Sequence, residues 1–153
     1  MKNQLSALLL IVALPAMADS LPLPKDTPAS YRSECGSCHL PFHPALLAAS
    51  DWQQTLNQLD KHFGSDAAVD RKTRQEISQF LERYAGDPAR LGPAGNPPRL
   101  TQTSRFIRKH REISAKTWSD PRIKSAANCE ACHRNAASGR FSEHEISIPG
   151  LGK

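Results

Sequence analysis

Residues 35–39 read Cys-Gly-Ser-Cys-His and residues 129–133 read Cys-Glu-Ala-Cys-His, and together these two runs use all 4 cysteines of a chain of 153 residues. Two thiols separated by two residues and followed at once by an imidazole form the attachment signal for c-type haem. The thiols add to the vinyl groups of the porphyrin, and the adjacent His lies under the ring as an iron ligand. Cys35, Cys38, Cys129 and Cys132 are therefore the candidate attachment sites, with His39 and His133 as the candidate proximal ligands of two irons. A zinc site built from two Cys pairs, a redox-active dithiol, or plain disulfides would also use four cysteines. None of these needs a His directly after both pairs.

Outward from the motifs, the N-terminus has the anatomy of a secretory signal: Lys2, an apolar run from Leu5 to Leu14, then Ala16 and Ala18 before Asp19. Residues 1–18 are expected to be removed, which places the remainder in the periplasm, the oxidising side where bacteria attach c-type haem. The apolar run is too short to span a bilayer and no later segment is apolar enough, so the mature chain is not expected to be transmembrane. What remains, residues 19–153, is polar and proline-rich, with a modest core of its own. Two porphyrin discs covered by Trp, Phe and Leu side chains would enlarge that core.

Both methionines, Met1 and Met17, lie inside the signal. Methionine, the usual sixth ligand in high-potential carriers, is thus missing from the mature chain, and the remaining strong ligands are His43, His62, His110 and His144. His62 falls in a stretch that reads as a helix from Ser50, as N-cap, to Gly64, with Trp52, Leu56, Leu59 and Phe63 as its apolar stripe. His110 follows Phe106 and Ile107 by four and three residues on an expected helix over 103–112. His43, between Pro41-Phe42 and Pro44, is too close to His39 to reach the opposite face of the same haem but could serve the other one. His144, in Glu143-His144-Glu145, has the surroundings of a solvated tail residue. If His62 and His110 are the distal ligands, pairing within each half spans 23 residues both times, from 39 to 62 and from 110 to 133. Loop-closure entropy favours that local pairing over the crossed one by about 1 kcal/mol per loop. An iron held by two histidines is low-spin and has no vacant position, which points to electron transfer at low potential and not to catalysis.

Around the motifs the chain reads as mainly α. A short helix is expected from Ser30 into the first motif, and a longer one from Asp70 to Ala85, stopped by Gly86, with Ile77, Phe80, Leu81 and Tyr84 on one face. Residues 87–99, with Pro88, Pro93, Pro97, Pro98, Gly92 and Gly95, read as a connector between an N-terminal haem lobe, 19–86, and a C-terminal haem lobe, 100–153. The second lobe would hold the His110 helix, a short stretch around Trp118 and a turn opening near Ser125 that carries the second motif. Charge is uneven: from Arg99 to Lys124 there are eight Lys or Arg against two acids. That stretch could neutralise haem propionates, dock an acidic partner, or simply be a solvated face. Nucleic acid is not an expected partner of an exported chain.

The sequence also resembles a family, the small dihaem cytochromes c associated with the sphaeroides haem protein, a high-spin oxygen-binding cytochrome. The matching stretches are Tyr31 to His39, Pro44-Ala45-Leu46-Leu47, His62-Phe63-Gly64, Phe106 to Glu112 and Ala127 to His133. The resemblance implies a fold of short helices and loops wrapped around two covalently bound c-type haems, both bis-His and low in potential. It adds weight to His62 and His110 as ligands, and it implies a high-spin cytochrome c and a membrane cytochrome b as redox partners. Pro41-Phe42-His43-Pro44 departs from the family's tyrosine-proline pattern by offering an extra His. Two other readings compete. A dihaem subunit of a periplasmic reductase would carry its own characteristic histidine-bearing proline segments, and none of those is seen here. A small peroxidase or nitrite-reducing cytochrome would need an open iron.

Overall fold

The computed structural model describes residues 20–148, so the signal segment expected at 1–18 lies outside the described residues. The architecture is mainly helical: α1 (Ala29–Glu34), α2 (Ala49–Leu56), α3 (Arg71–Tyr84), α4 (Pro88–Leu91), α5 (Ser104–Lys109) and α6 (Ala115–Trp118), linked by loops and single 3-10 turns. Among the described residues β pairing is confined to isolated bridges, Ser20 with Arg140, His62 with Ser65 and His133 with Ile146.

α3 is the backbone of the core. Asp70 caps it by accepting from the Lys72 and Thr73 amides, and Ile77, Phe80 and Leu81 are buried at the spacing of one helix face. Tyr31 of α1 packs its ring 4.9 Å from Phe80, while Trp52 and Leu56 close the cluster from α2. Ser30 lies inside α1 and not at its cap, which falls on Pro28; the Ser30 hydroxyl donates instead to Glu76 of α3 at 2.7 Å.

The helix expected from Ser50 to Gly64 is shorter. Its N-cap lies two residues earlier, at Ala48, whose amide donates to the Asp51 carboxylate at 3.3 Å, and the helix ends at Leu56. Asn57 accepts from the Arg74 guanidinium, and Leu59–Lys61 re-form as a 3-10 turn whose C-cap is His62. The following Phe63 stands at φ 51 and is 44% exposed, so it has left the apolar stripe. The Arg99 guanidinium lies over its ring, 4.0 Å from the centroid, a cation–π contact that supports this unusual backbone position.

Segment 87–99 is structured, because Asp87 caps the amide of Ala89 and Pro88 occupies the first helical position, where its missing N–H costs nothing. Leu91 and Ala94 within it are buried, and Ala94 and Leu100 join the same core as Tyr31 and Leu81. The Pro-rich lead crosses to the other end of the chain: the Leu21 amide donates to the Gly139 carbonyl at 2.6 Å. Gly139 has φ 75 and a β-carbon there would lie 2.3 Å from Pro22, so the crossing needs glycine.

Candidate haem sites

The first motif leaves α1 at its C-cap, Cys35, whose amide donates to Tyr31 at 3.1 Å. The motif turns tightly at Gly36, where a β-carbon would sit 2.2 Å from the Arg32 carbonyl. Tyr31, 1% exposed, fixes both sides of the loop: its ring is in the core and its hydroxyl donates to the Phe42 carbonyl. Phe42 in turn stacks on the His39 ring at 4.6 Å with planes 22° apart. His39 Nδ1 lies 2.8 Å from the Leu40 carbonyl, so Nδ1–H donates and Nε2 is the nitrogen left for a metal.

His62 comes to this ring from the turn after α2, with ring centroids 6.4 Å apart and planes at 28°. Burial, with smaller contributions from His39 and Arg99, holds the His62 pKa below its ordinary value, favouring the neutral imidazole that binds metals.

The second motif is built differently. Ile123, 1% exposed, anchors the approach, and its carbonyl accepts from the Asn128 side chain at 3.0 Å. Near Ser125 there is a side-chain turn, its hydroxyl accepting from the Ala127 amide, and the helical turn itself is Cys129–Ala131. The Ser147 amide donates to Cys132 at 2.9 Å, and Phe141 approaches the His133 ring at 5.2 Å.

His110 is the C-cap of α5, which Thr103 starts by accepting from the Phe106 amide. Phe106 stacks on the His110 ring at 4.0 Å with planes 20° apart, and the Phe106 carbonyl lies 2.9 Å from His110 Nδ1. Nε2 is again the nitrogen left for a metal. Ile107, expected on the same face, is 57% exposed. The His110 and His133 ring centroids are 6.1 Å apart, with planes at 88°.

Two imidazoles bound on opposite sides of one metal ion, each nitrogen about 2 Å from it, have ring centres roughly 6 Å apart. Both pairs have that spacing, and both pairs lie within their own half of the sequence. The other two histidines lie outside these pairs: His43 Nδ1 accepts from the Ala45 amide at 3.0 Å and caps the turn Pro44–Leu46, while His144 is exposed on the turn Glu143–Glu145.

Among the described residues no disulfide joins any two of the four cysteines. Among the described residues no three or more His, Cys, Asp and Glu side chains converge on a metal position, so the two Cys pairs do not form a joint zinc site. The paired rings, the Nδ1 bonds of His39 and His110 and the adjacent cysteine pairs fit two haem groups. Phe42, Phe141 and Arg99 were not picked out from the sequence. Phe42 was close enough to the first motif to be suspected, whereas Phe141 and Arg99 reach their sites only through the fold.

These features define a mainly helical protein with two covalent haem sites of the c type. The family model for dihaem cytochrome c matches residues 31–141, and the chain belongs to that family. No curated protein matches the sequence. Among solved structures it is similar to the dihaem cytochrome c of Shewanella baltica OS155, at 34% identity and a TM-score of 0.71 over 81% of this chain and 94% of that one. It is also similar to a dihaem cytochrome c from Rhodobacter sphaeroides, at 35% identity and a TM-score of 0.65 over 75% of this chain and 97% of that one. A second structure from that organism gives 34% identity and a TM-score of 0.66 over 76% and 98%. The chain is thus an electron-transfer cytochrome with two covalently bound c-type haems. No helix among the described residues is long and apolar enough to cross a membrane.

Proposed function

We propose that both haems are low-spin, low-potential and bis-His, the first attached at Cys35 and Cys38 with His39 and His62 as axial ligands, the second attached at Cys129 and Cys132 with His133 and His110. The observation that carries this reading is the spacing of the two ring pairs, 6.4 and 6.1 Å between centroids. Bound haem supplies a one-electron Fe(III)/Fe(II) couple. The chain's own residues fill both axial positions and fix the ring tautomers through the Leu40 and Phe106 carbonyls. With no thioether to favour Fe(II), two imidazoles hold the potential low.

In this reading the haems occupy an N-terminal lobe, 19–86, and a C-terminal lobe, 100–153, joined by the packed segment 87–99. Residues 1–18 act as a cleaved signal and the protein works in the periplasm. It passes electrons between a membrane cytochrome b and a high-spin soluble cytochrome. The exposed basic residues on and after α5, with Ile107 bare among them, support docking to an acidic partner.

Near-infrared magnetic circular dichroism of the ferric holoprotein tests the ligation. A charge-transfer band at the bis-imidazole position and no high-spin band are expected. A high-spin band, or a band at the lysine–imidazole position, would refute it.

A further inference from the structure

The two candidate sites share a ligand set but differ in ring orientation, with planes 28° apart for His39 and His62 and 88° apart for His110 and His133. The difference has local causes. His39 is held between the ring of Phe42 and the Leu40 carbonyl. His110 is held twice by one residue, since Phe106 stacks on its ring at 4.0 Å and accepts from its Nδ1–H. Trp118 lies 6.0 Å from the His110 ring on a further side, and Phe141 packs against the edge of His133 at 5.2 Å. Each second-site ring is thereby kept in its own plane by a different aromatic neighbour.

We propose that Phe42 and Phe106 are positioning residues that make the two irons inequivalent, giving the first haem nearly parallel axial planes and the second nearly perpendicular ones. This rests on the bis-His reading above and goes beyond it. An axial imidazole donates π density perpendicular to its own plane. Parallel rings act on one iron d orbital and split the dxz and dyz pair; perpendicular rings act on both equally and leave the pair nearly degenerate. The first arrangement gives a rhombic low-spin paramagnetic resonance signal. The second gives a strongly anisotropic signal dominated by one large-g feature.

Electron paramagnetic resonance of the ferric holoprotein at liquid-helium temperature reads this directly. Two low-spin signals of different shape, one rhombic and one with a large-g feature, are expected in equal amounts. Phe106→Leu removes the stacked ring but keeps the backbone carbonyl; it should move the large-g feature toward the rhombic shape and leave the other signal in place. Phe106→Tyr should restore the parent spectrum, and Phe42→Leu should alter only the rhombic signal. If Phe106→Leu does not accumulate, Phe141→Leu, which frees the His133 ring, is expected to move the same large-g feature. Two low-spin signals of one shape, or a large-g feature indifferent to both changes, would overturn the inference while leaving bis-His ligation standing. A high-spin signal in the parent protein would overturn the ligation itself.

Discussion

The hydroxyl of Tyr31 donates to the carbonyl of Phe42, tying the centre of the hydrophobic core to the loop that follows the first haem motif. Phe42 lies flat on His39, so the position of a candidate iron ligand is set by packing around α3, two steps away. Burial drives the Tyr31 pKa upward, which keeps the hydroxyl protonated as a donor throughout the working range.

Tyr31→Phe keeps the ring in place against Phe80 but leaves the Phe42 carbonyl without this donor. The expected cost is about 1–3 kcal/mol of folding stability, read as a lower denaturant midpoint of the holoprotein. The spectral change on unfolding should appear first in the haem held by Cys35 and Cys38. An unchanged midpoint would mean that the carbonyl finds another donor.

Arg99 sits over Phe63 beside the His62 turn and lowers the proton affinity of His62. A positive charge near an iron disfavours Fe(III), so Arg99→Ala should lower the potential of the first haem. Because Arg99 is solvent-exposed, screening limits the effect to the order of ten to a few tens of millivolts. A spectroelectrochemical titration that resolves both haems checks this, with the second haem as internal reference.

Cys35→Ser combined with Cys38→Ser should leave a chain carrying one covalent haem, and Cys129→Ser with Cys132→Ser the complementary one. Intact-protein mass spectrometry and the haem-to-protein ratio report the result. Each variant should also be less stable than the parent, because a missing porphyrin leaves apolar side chains without cover.

Arg108 and Lys109 follow the exposed Ile107 on α5. Charge reversal of both should slow oxidation of the reduced protein by anionic ferricyanide, by roughly two- to tenfold at low salt, with the difference vanishing as ionic strength rises. Oxidation by a cationic cobalt or ruthenium complex should be unchanged or faster. Equal slowing with both reagents would place the effect in the protein's stability and not in its field.

Much of the site was legible because its chemistry is local in sequence. Cys-x-x-Cys-His is a five-residue signal, and the absence of methionine after residue 18 narrows the sixth ligand by elimination. α3 was legible for the same kind of reason, since an Asp cap and a regular apolar face leave little choice. Periodicity failed where a tertiary contact outweighed it. The stripe Trp52, Leu56, Leu59, Phe63 suggested one continuous helix, but Asn57 is engaged by Arg74 and Phe63 by Arg99, and the chain forms α2 and a separate 3-10 turn instead. That break is what brings His62 to His39. At 87–99 the prolines and glycines read as a connector that ends regular structure. Asp87 and Pro88 nevertheless start a helix turn there, and Leu91 and Ala94 go into the core.

The pairing of His39 with His62 and of His110 with His133 is tested most directly by carbon monoxide binding to single replacements of the distal histidines. The reduced parent protein should bind none at neutral pH. His62→Ala should bind carbon monoxide at the haem carried by Cys35 and Cys38 alone, His110→Ala at the haem carried by Cys129 and Cys132 alone, and His43→Ala and His144→Ala at neither. Carbon monoxide binding by the parent, opening of the opposite haem, or a His62→Ala protein that stays fully six-coordinate and closed would contradict the account.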